Sequence, residues 1–122
     1  MHRLTLPVPP SVNVYWRNFR GMTVLSKEAK SFKQEVATLA RLAGVLSPLQ
    51  CEVTIDITYH PKARKKETAK PMRRLDLDNP IKATLDSLNG IAYLDDYQVT
   101  EITARLGQPT ERGELVVMWE AA

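Results

Sequence analysis

Four aspartates and one lysine carry the chemistry that this sequence could perform. Asp76 and Asp78 stand two apart in Leu75-Asp76-Leu77-Asp78-Asn79-Pro80-Ile81-Lys82, and Asp95-Asp96 follow further along. In extended backbone a spacing of two sends both side chains to the same side. Pro80 suits the first position of a helix, where its missing N–H is harmless. The first pair is therefore expected at a helix mouth, where outward-pointing N–H groups and the dipole favour anions. Carboxylates converging there from both pairs would repel one another unless a divalent cation neutralised them. Nucleases and polymerases use such a cation to activate water and to stabilise the leaving oxygen at phosphorus. Lys82 is expected near the third helical position, where the dipole disfavours a cation. One turn from two aspartates, it suits a phosphate contact or assistance to the attacking water. Each pair also has a structural alternative: Asp78 or Asn79 as a helix cap, Asp76 as a turn residue, Asp95-Asp96 as a polar turn.

Composition narrows the metal and the partner. The 122 residues include one cysteine, Cys51, and two histidines, His2 and His60, far apart in sequence. A metal must then be held mainly by oxygen, which favours Mg²⁺ or Mn²⁺ over zinc. The formal net charge is only +3, but between His60 and Asp76 lie Lys62, Arg64, Lys65, Lys66, Lys70, Arg73 and Arg74 against the single acid Glu67. The rest of the chain has ten basic and thirteen acidic residues, so the whole positive excess sits in one stretch. A localised basic patch is what a polyanion binder needs, and a solvated loop is the alternative. A second basic segment, Asn13 to Arg20, mixes Arg17 and Arg20 with Tyr15, Trp16 and Phe19. Its arginines suit phosphates, and Tyr15 or Trp16 an unpaired base. For Trp16 and Phe19, packing under the sheet is the favoured expectation.

The elements that must position these groups follow from periodicity. Leu4, Leu6 and Val8 alternate as a first strand ended by Pro9-Pro10, and a loop follows. Ser26 is expected to cap a helix with Ala29, Phe32, Val36, Leu39, Ala40 and Ala43 on one face and Gly44 at its end. Cys51 to Tyr59 alternate as the clearest strand, with Cys51 a small buried residue at its start. A second helix begins after Asn79, with Ile81, Leu85 and Leu88 as its apolar stripe. Ile102, Ala104 and Leu106 mark a further strand. Leu115 to Trp119 form the last strand, with Trp119 in the core or an interface. His60 has no evident partner. The expectation is one α/β (α+β) domain over residues 1–122, in the order β-α-β-α-β-β, with two helices on one face of a small mixed sheet. The start MHRLTLPVPP has no long apolar core, and no apolar run reaches membrane-spanning length, so a cytoplasmic protein without a membrane partner is expected.

The segments DLDNPIKATLDSL and LDDYQV, together with PPSVNVYWRNFRGM near the start, resemble the signature of the RusA family of Holliday-junction resolvases, often carried by prophages. The resemblance runs over nearly the whole chain. It implies a homodimer that nicks two opposing strands of four-way junction DNA with Mg²⁺ or Mn²⁺, in recombination and repair. It also implies Asp76, Asp78 and Asp96 as catalytic and metal-binding carboxylates, Asp95 as an adjacent ligand, and Lys82 as the essential lysine. Two features depart from the pattern: KETAKPM lengthens the basic stretch, and Leu75 stands where a basic residue is expected. Two other readings compete. A non-catalytic branched-DNA-binding protein would use the same cations with the carboxylates as caps. An enzyme acting on small nucleotides would have little use for so many cations.

Overall fold

In a computed structural model, residues 1–63 and 77–122 are described. Four strands form the main sheet: β1 (His2–Leu6), β4 (Val53–His60), β5 (Val99–Leu106) and β6 (Glu114–Ala121), in the order β1-β6-β4-β5. β6 runs antiparallel to both β1 and β4, and β4 pairs parallel with β5. A parallel pair needs a crossover, and helix α3 (Asn79–Ser87) lies within it. The sheet is thus mixed, and its core face is covered by α2 (Lys27–Leu42) and α3, the two-layer arrangement that the periodicity implies.

Register explains the core. Ile55 stands opposite Trp119, Ile57 opposite Val117 and Tyr59 opposite Leu115, while Leu4 and Leu6 pair with Val117 and Leu115. Alternation puts these side chains on one face. There they meet Ala29, Phe32, Val36 and Ala40 of α2. Trp119 is buried, as expected of a core residue. Ser26 caps α2 by accepting a hydrogen bond from the Ala29 N–H at 3.0 Å, and Gly44 beyond its end takes a φ of +85° that favours glycine.

Several boundaries differ from expectation. β1 ends at Leu6, so Val8 lies outside it and is exposed. Val8 sits between Pro7 and Pro9, and neither proline can donate to a ladder. Cys51 precedes β4 and is exposed rather than buried. Ala43, at the end of α2, is exposed. His60 does have a partner, with Nδ1 2.8 Å from the Gln108 carbonyl. In α3 the buried face is Pro80, Ala83, Thr84 and Ser87, with Ile81 and Leu85 only partly covered. Thr84 and Ser87 tolerate burial because each hydroxyl donates within the helix, to the Pro80 and Thr84 carbonyls, both at 2.7 Å.

The segment expected as a loop after β1 contains structure of its own. A single helical turn, α1 (Val12–Tyr15), leads into a hairpin of β2 (Trp16–Phe19) and β3 (Met22–Leu25). Its two-residue turn is Arg20-Gly21, with φ of +51° and +76°. Positive φ at both positions is the hairpin turn whose twist matches the strands.

Candidate active site

Helix α3 is the organising element, and the residues along one of its faces hold the α1–hairpin segment. Asn79 Oδ1 accepts a hydrogen bond from the Val12 N–H at 3.2 Å. Lys82 Nζ sits 5.0 Å from the centre of the Trp16 ring. One turn further on, Asp86 accepts the Tyr15 hydroxyl hydrogen bond at 2.6 Å and lies 3.7 Å from Lys33 Nζ on α2. Positions 79, 82 and 86 share a helical face. Burial, then the hydrogen bond to Asp86 and its charge, push the Tyr15 phenol far above its ordinary range, so Tyr15 remains a neutral donor. The Lys82 contact is a cation–π arrangement, so an aromatic face offsets the unfavourable dipole at this helix start.

The Asp95-Asp96 turn is fixed from below. After α3 the chain turns at Gly90, and the Tyr93 hydroxyl reaches back to the Leu85 carbonyl at 2.7 Å. Gln98, buried beneath the turn, uses its full hydrogen-bonding capacity. Its Oε1 accepts from the N–H groups of Leu94 at 2.9 Å and Asp95 at 3.0 Å. Its Nε2 donates to the carbonyls of Leu49 and Cys51, both at 2.9 Å. Sequence reasoning missed Gln98, Asp86 and Tyr15 as supports. A glutamine three residues after an aspartate, the capping-box spacing, was the available signal for the first.

The two carboxylates of this turn differ in role. Asp95 caps the 3₁₀ turn Asp96–Gln98, accepting from the Tyr97 N–H at 3.4 Å, and so has a structural role in this turn. Asp96 lies where carboxylates crowd. Burial, the Asp95 carboxyl beside it and the charge of Asp86 raise its pKa above the ordinary range, while the Asn89 side chain acts in the opposite direction. The Tyr93 phenol is also raised, by burial and then by the charges of Asp96, Asp86 and Asp95.

The other sequence-derived site residues are placed as follows. Asp78 is exposed at the N-cap position of α3, with helical φ and ψ of −72° and −24°, and its side chain caps no N–H. Asp76 lies outside the described residues, as do Arg64, Lys65, Lys66, Lys70, Arg73 and Arg74. Lys62 is exposed and bridges to Thr110 through its backbone. Arg17 and Arg20 are exposed on the hairpin, with guanidinium carbons 5.8 and 5.2 Å from the centre of the Phe19 ring. Phe19 itself is 50 % exposed, so it does not pack under the sheet, because the hairpin projects from the core.

Oxygen donors of the kind that a hard divalent ion takes are present at this turn. Asp95 and Asp96 offer carboxylate oxygens, and Asn89 Oδ1 is buried without a hydrogen-bond partner among the described residues. Among the described residues no three His, Cys, Asp or Glu side chains are grouped closely enough to hold a metal by themselves. Also among the described residues, no helix is long and apolar enough to cross a membrane.

Comparison with known proteins agrees with the motifs. The family model described as endodeoxyribonuclease RusA matches residues 7–118. The crossover junction endodeoxyribonuclease RusA of Escherichia coli (strain UTI89 / UPEC) is 36 % identical over 115 residues, covering 93 % of this chain and 89 % of the relative. Proteins of the same description from Enterobacteria phage 82 and Shigella sonnei (strain Ss046) are each 35 % identical over the same shares.

Proposed function

Because the chain belongs to the family of RusA endodeoxyribonucleases, we propose that it resolves four-way DNA junctions as a homodimer, by paired nicks in opposing strands. The proposal treats residues 1–122 as one catalytic domain, acting in the cytoplasm where its DNA lies. Membership of a nuclease family of this type implies a divalent metal cofactor; we take it to be Mg²⁺, with Mn²⁺ as a substitute, on the oxygen-only donor set.

The observation that carries the reading is the crowding of Asp96 with Asp95 and Asp86 beside the helix that bears Lys82. Repulsion maintained in a fold is costly unless a ligand relieves it. In this reading Asp76, Asp78 and Asp96 hold the metal, with Asp95 adjacent. When bound, the metal supplies an activated water and charge neutralisation at phosphorus. Lys82, held by the Trp16 ring, meets the scissile phosphate and stabilises its developing charge. Asn89 steadies the Asp96 carboxylate. Arg17, Arg20 and Lys62, with Arg64, Lys65, Lys66, Lys70, Arg73 and Arg74, contact phosphates and set the register on the DNA.

Two-fold symmetry gives the dimer its use, since it offers two equivalent sites to two equivalent strands of a junction. Ile102 and Leu106 support a second copy: they are 46 % and 49 % exposed on the edge strand β5 and leave an apolar strip there. The reading as a branched-DNA binder without catalysis is separated by one assay. A labelled four-way junction is incubated with the protein, with and without Mg²⁺. Paired nicks that require the ion support the proposal; binding without cleavage under any divalent ion removes it.

A further inference from the structure

The β2–β3 hairpin has a composition that its fold does not require. At its tip Phe19 is 50 % exposed and its cross-strand partner Met22 is 66 % exposed. Exposed apolar side chains paired on a two-stranded ribbon bury little and stabilise little. Arg17 and Arg20 flank the Phe19 ring. From Ser11 to Ser26 the sequence contains no aspartate or glutamate, so no acid within the hairpin answers these two cations.

The hairpin is also held in place relative to the candidate active site. Its root is tied to α3 by Asn79 through Val12, by Lys82 under Trp16 and by Asp86 through Tyr15. A tip carried on such a root keeps a fixed direction from Lys82. Exposed aromatic, flanking guanidinium groups and absent acids together match a nucleic acid rather than an apolar protein surface: the ring suits a base face and the cations suit the phosphates on either side.

We propose that Phe19 is a stacking wedge, taking the face of a nucleobase unstacked at the branch point, with Arg17 and Arg20 on the adjoining phosphates. This rests on the junction-resolving reading above. A continuous duplex offers no free base face without unstacking, which costs a few kcal/mol per step. A branch point, where stacking is already interrupted, offers one more cheaply. The wedge therefore favours junctions over linear DNA.

The test places 2-aminopurine, in turn, at each base flanking the branch point of a four-way junction, with EDTA present so that the DNA stays intact. Binding of the unaltered protein is expected to raise emission at one or more positions. Phe19→Ala should abolish that rise and weaken junction affinity about 5- to 150-fold, the range set by loss of one stacked base. Affinity for a linear duplex of the same sequence should be unchanged. Phe19→Trp should restore junction affinity, and thermal melting should confirm that both variants fold. An unchanged 2-aminopurine response in Phe19→Ala, or equal loss of affinity on junction and duplex, would overturn the wedge. So would a change in sedimentation from dimer to monomer, because the ring would then serve a second copy. If the wedge fails while the unaltered protein still cuts junctions with Mg²⁺, the nuclease reading stands; if the emission change depends on Phe19 but no divalent ion gives cleavage, the wedge stands and the nuclease reading falls.

Discussion

Two acidic regions of this molecule are built on opposite principles. On the face of the sheet away from the helices, Asp56 of β4 is met by Arg105 of β5, with Nη1 at 2.6 Å and Nη2 at 2.8 Å, and Nη1 also reaches Thr58 at 3.1 Å. That carboxylate has a fitted two-pronged counter-charge. In the turn that follows α3, Asp96 instead lies near Asp95 and Asp86, and the salt bridge in that neighbourhood among the described residues is Lys33 to Asp86. The first region spends its charge on an exposed pair that contributes little. In the second, Asp96 has no salt bridge among the described residues, an arrangement that suits a place completed by a ligand. Pairing, rather than the number of acids, separates scaffold from site.

Four substitutions test this contrast, and the largest effect is expected at Asp96. Asp96→Asn should lower single-turnover cleavage on the order of a thousandfold while junction binding persists, because the phosphates are held mainly by cations. Its Tm in EDTA at pH 7 should rise by about 2 °C, a small shift because the site is open to solvent screening. Lys82→Ala comes next, with a cleavage loss of about a hundredfold and little change in junction affinity, which many cations share. Gln98→Leu should act first on stability. It leaves the N–H groups of Leu94 and Asp95 without their acceptor, at a cost of about 2 kcal/mol seen in urea unfolding, and cleavage should fall less than in Lys82→Ala. Arg105→Ala should have the smallest effect, with an unchanged cleavage rate and a melting shift below that of the other variants. A large loss of cleavage in Arg105→Ala would erase the distinction between the two regions.

Much of this was legible in the sequence, and the exceptions have physical causes. Two-residue alternation in β4 and three-to-four-residue spacing in α2 are strong signals because each element buries one continuous face. Helix α3 is harder to read: its buried positions include Thr84 and Ser87, whose hydroxyls are satisfied inside the helix and so look polar only on paper. The hairpin is hidden because its turn is Arg20-Gly21 rather than Asn-Gly or Asp-Gly, and because its strands bury little. Ile102 and Leu106 alternate like core residues, yet at an edge strand the covering layer gives out. At the candidate site, spacing singled out Asp78, Asp95, Asp96 and Lys82 as candidates. It could not assign the cap to Asp95, nor bring Tyr15 and Asp86, 71 residues apart, into one hydrogen bond.

The most direct test of carboxylate crowding at Asp96 is thermal stability across pH, for the unaltered protein and Asp96→Asn, first in EDTA and then with Mg²⁺. Folding raises the Asp96 pKa, so the folded state keeps this proton to higher pH than the unfolded chain does. The stability linked to that proton is fully present below the unfolded carboxylate value of about 3.9 and is lost as pH rises through the raised folded value. In EDTA the unaltered protein should therefore lose stability relative to Asp96→Asn as pH climbs from about 4 toward neutrality. Adding Mg²⁺ at pH 7 should raise the Tm of the unaltered protein by mass action and leave that of Asp96→Asn nearly unchanged. Parallel melting curves at every pH, with neither protein responding to Mg²⁺, would contradict the account.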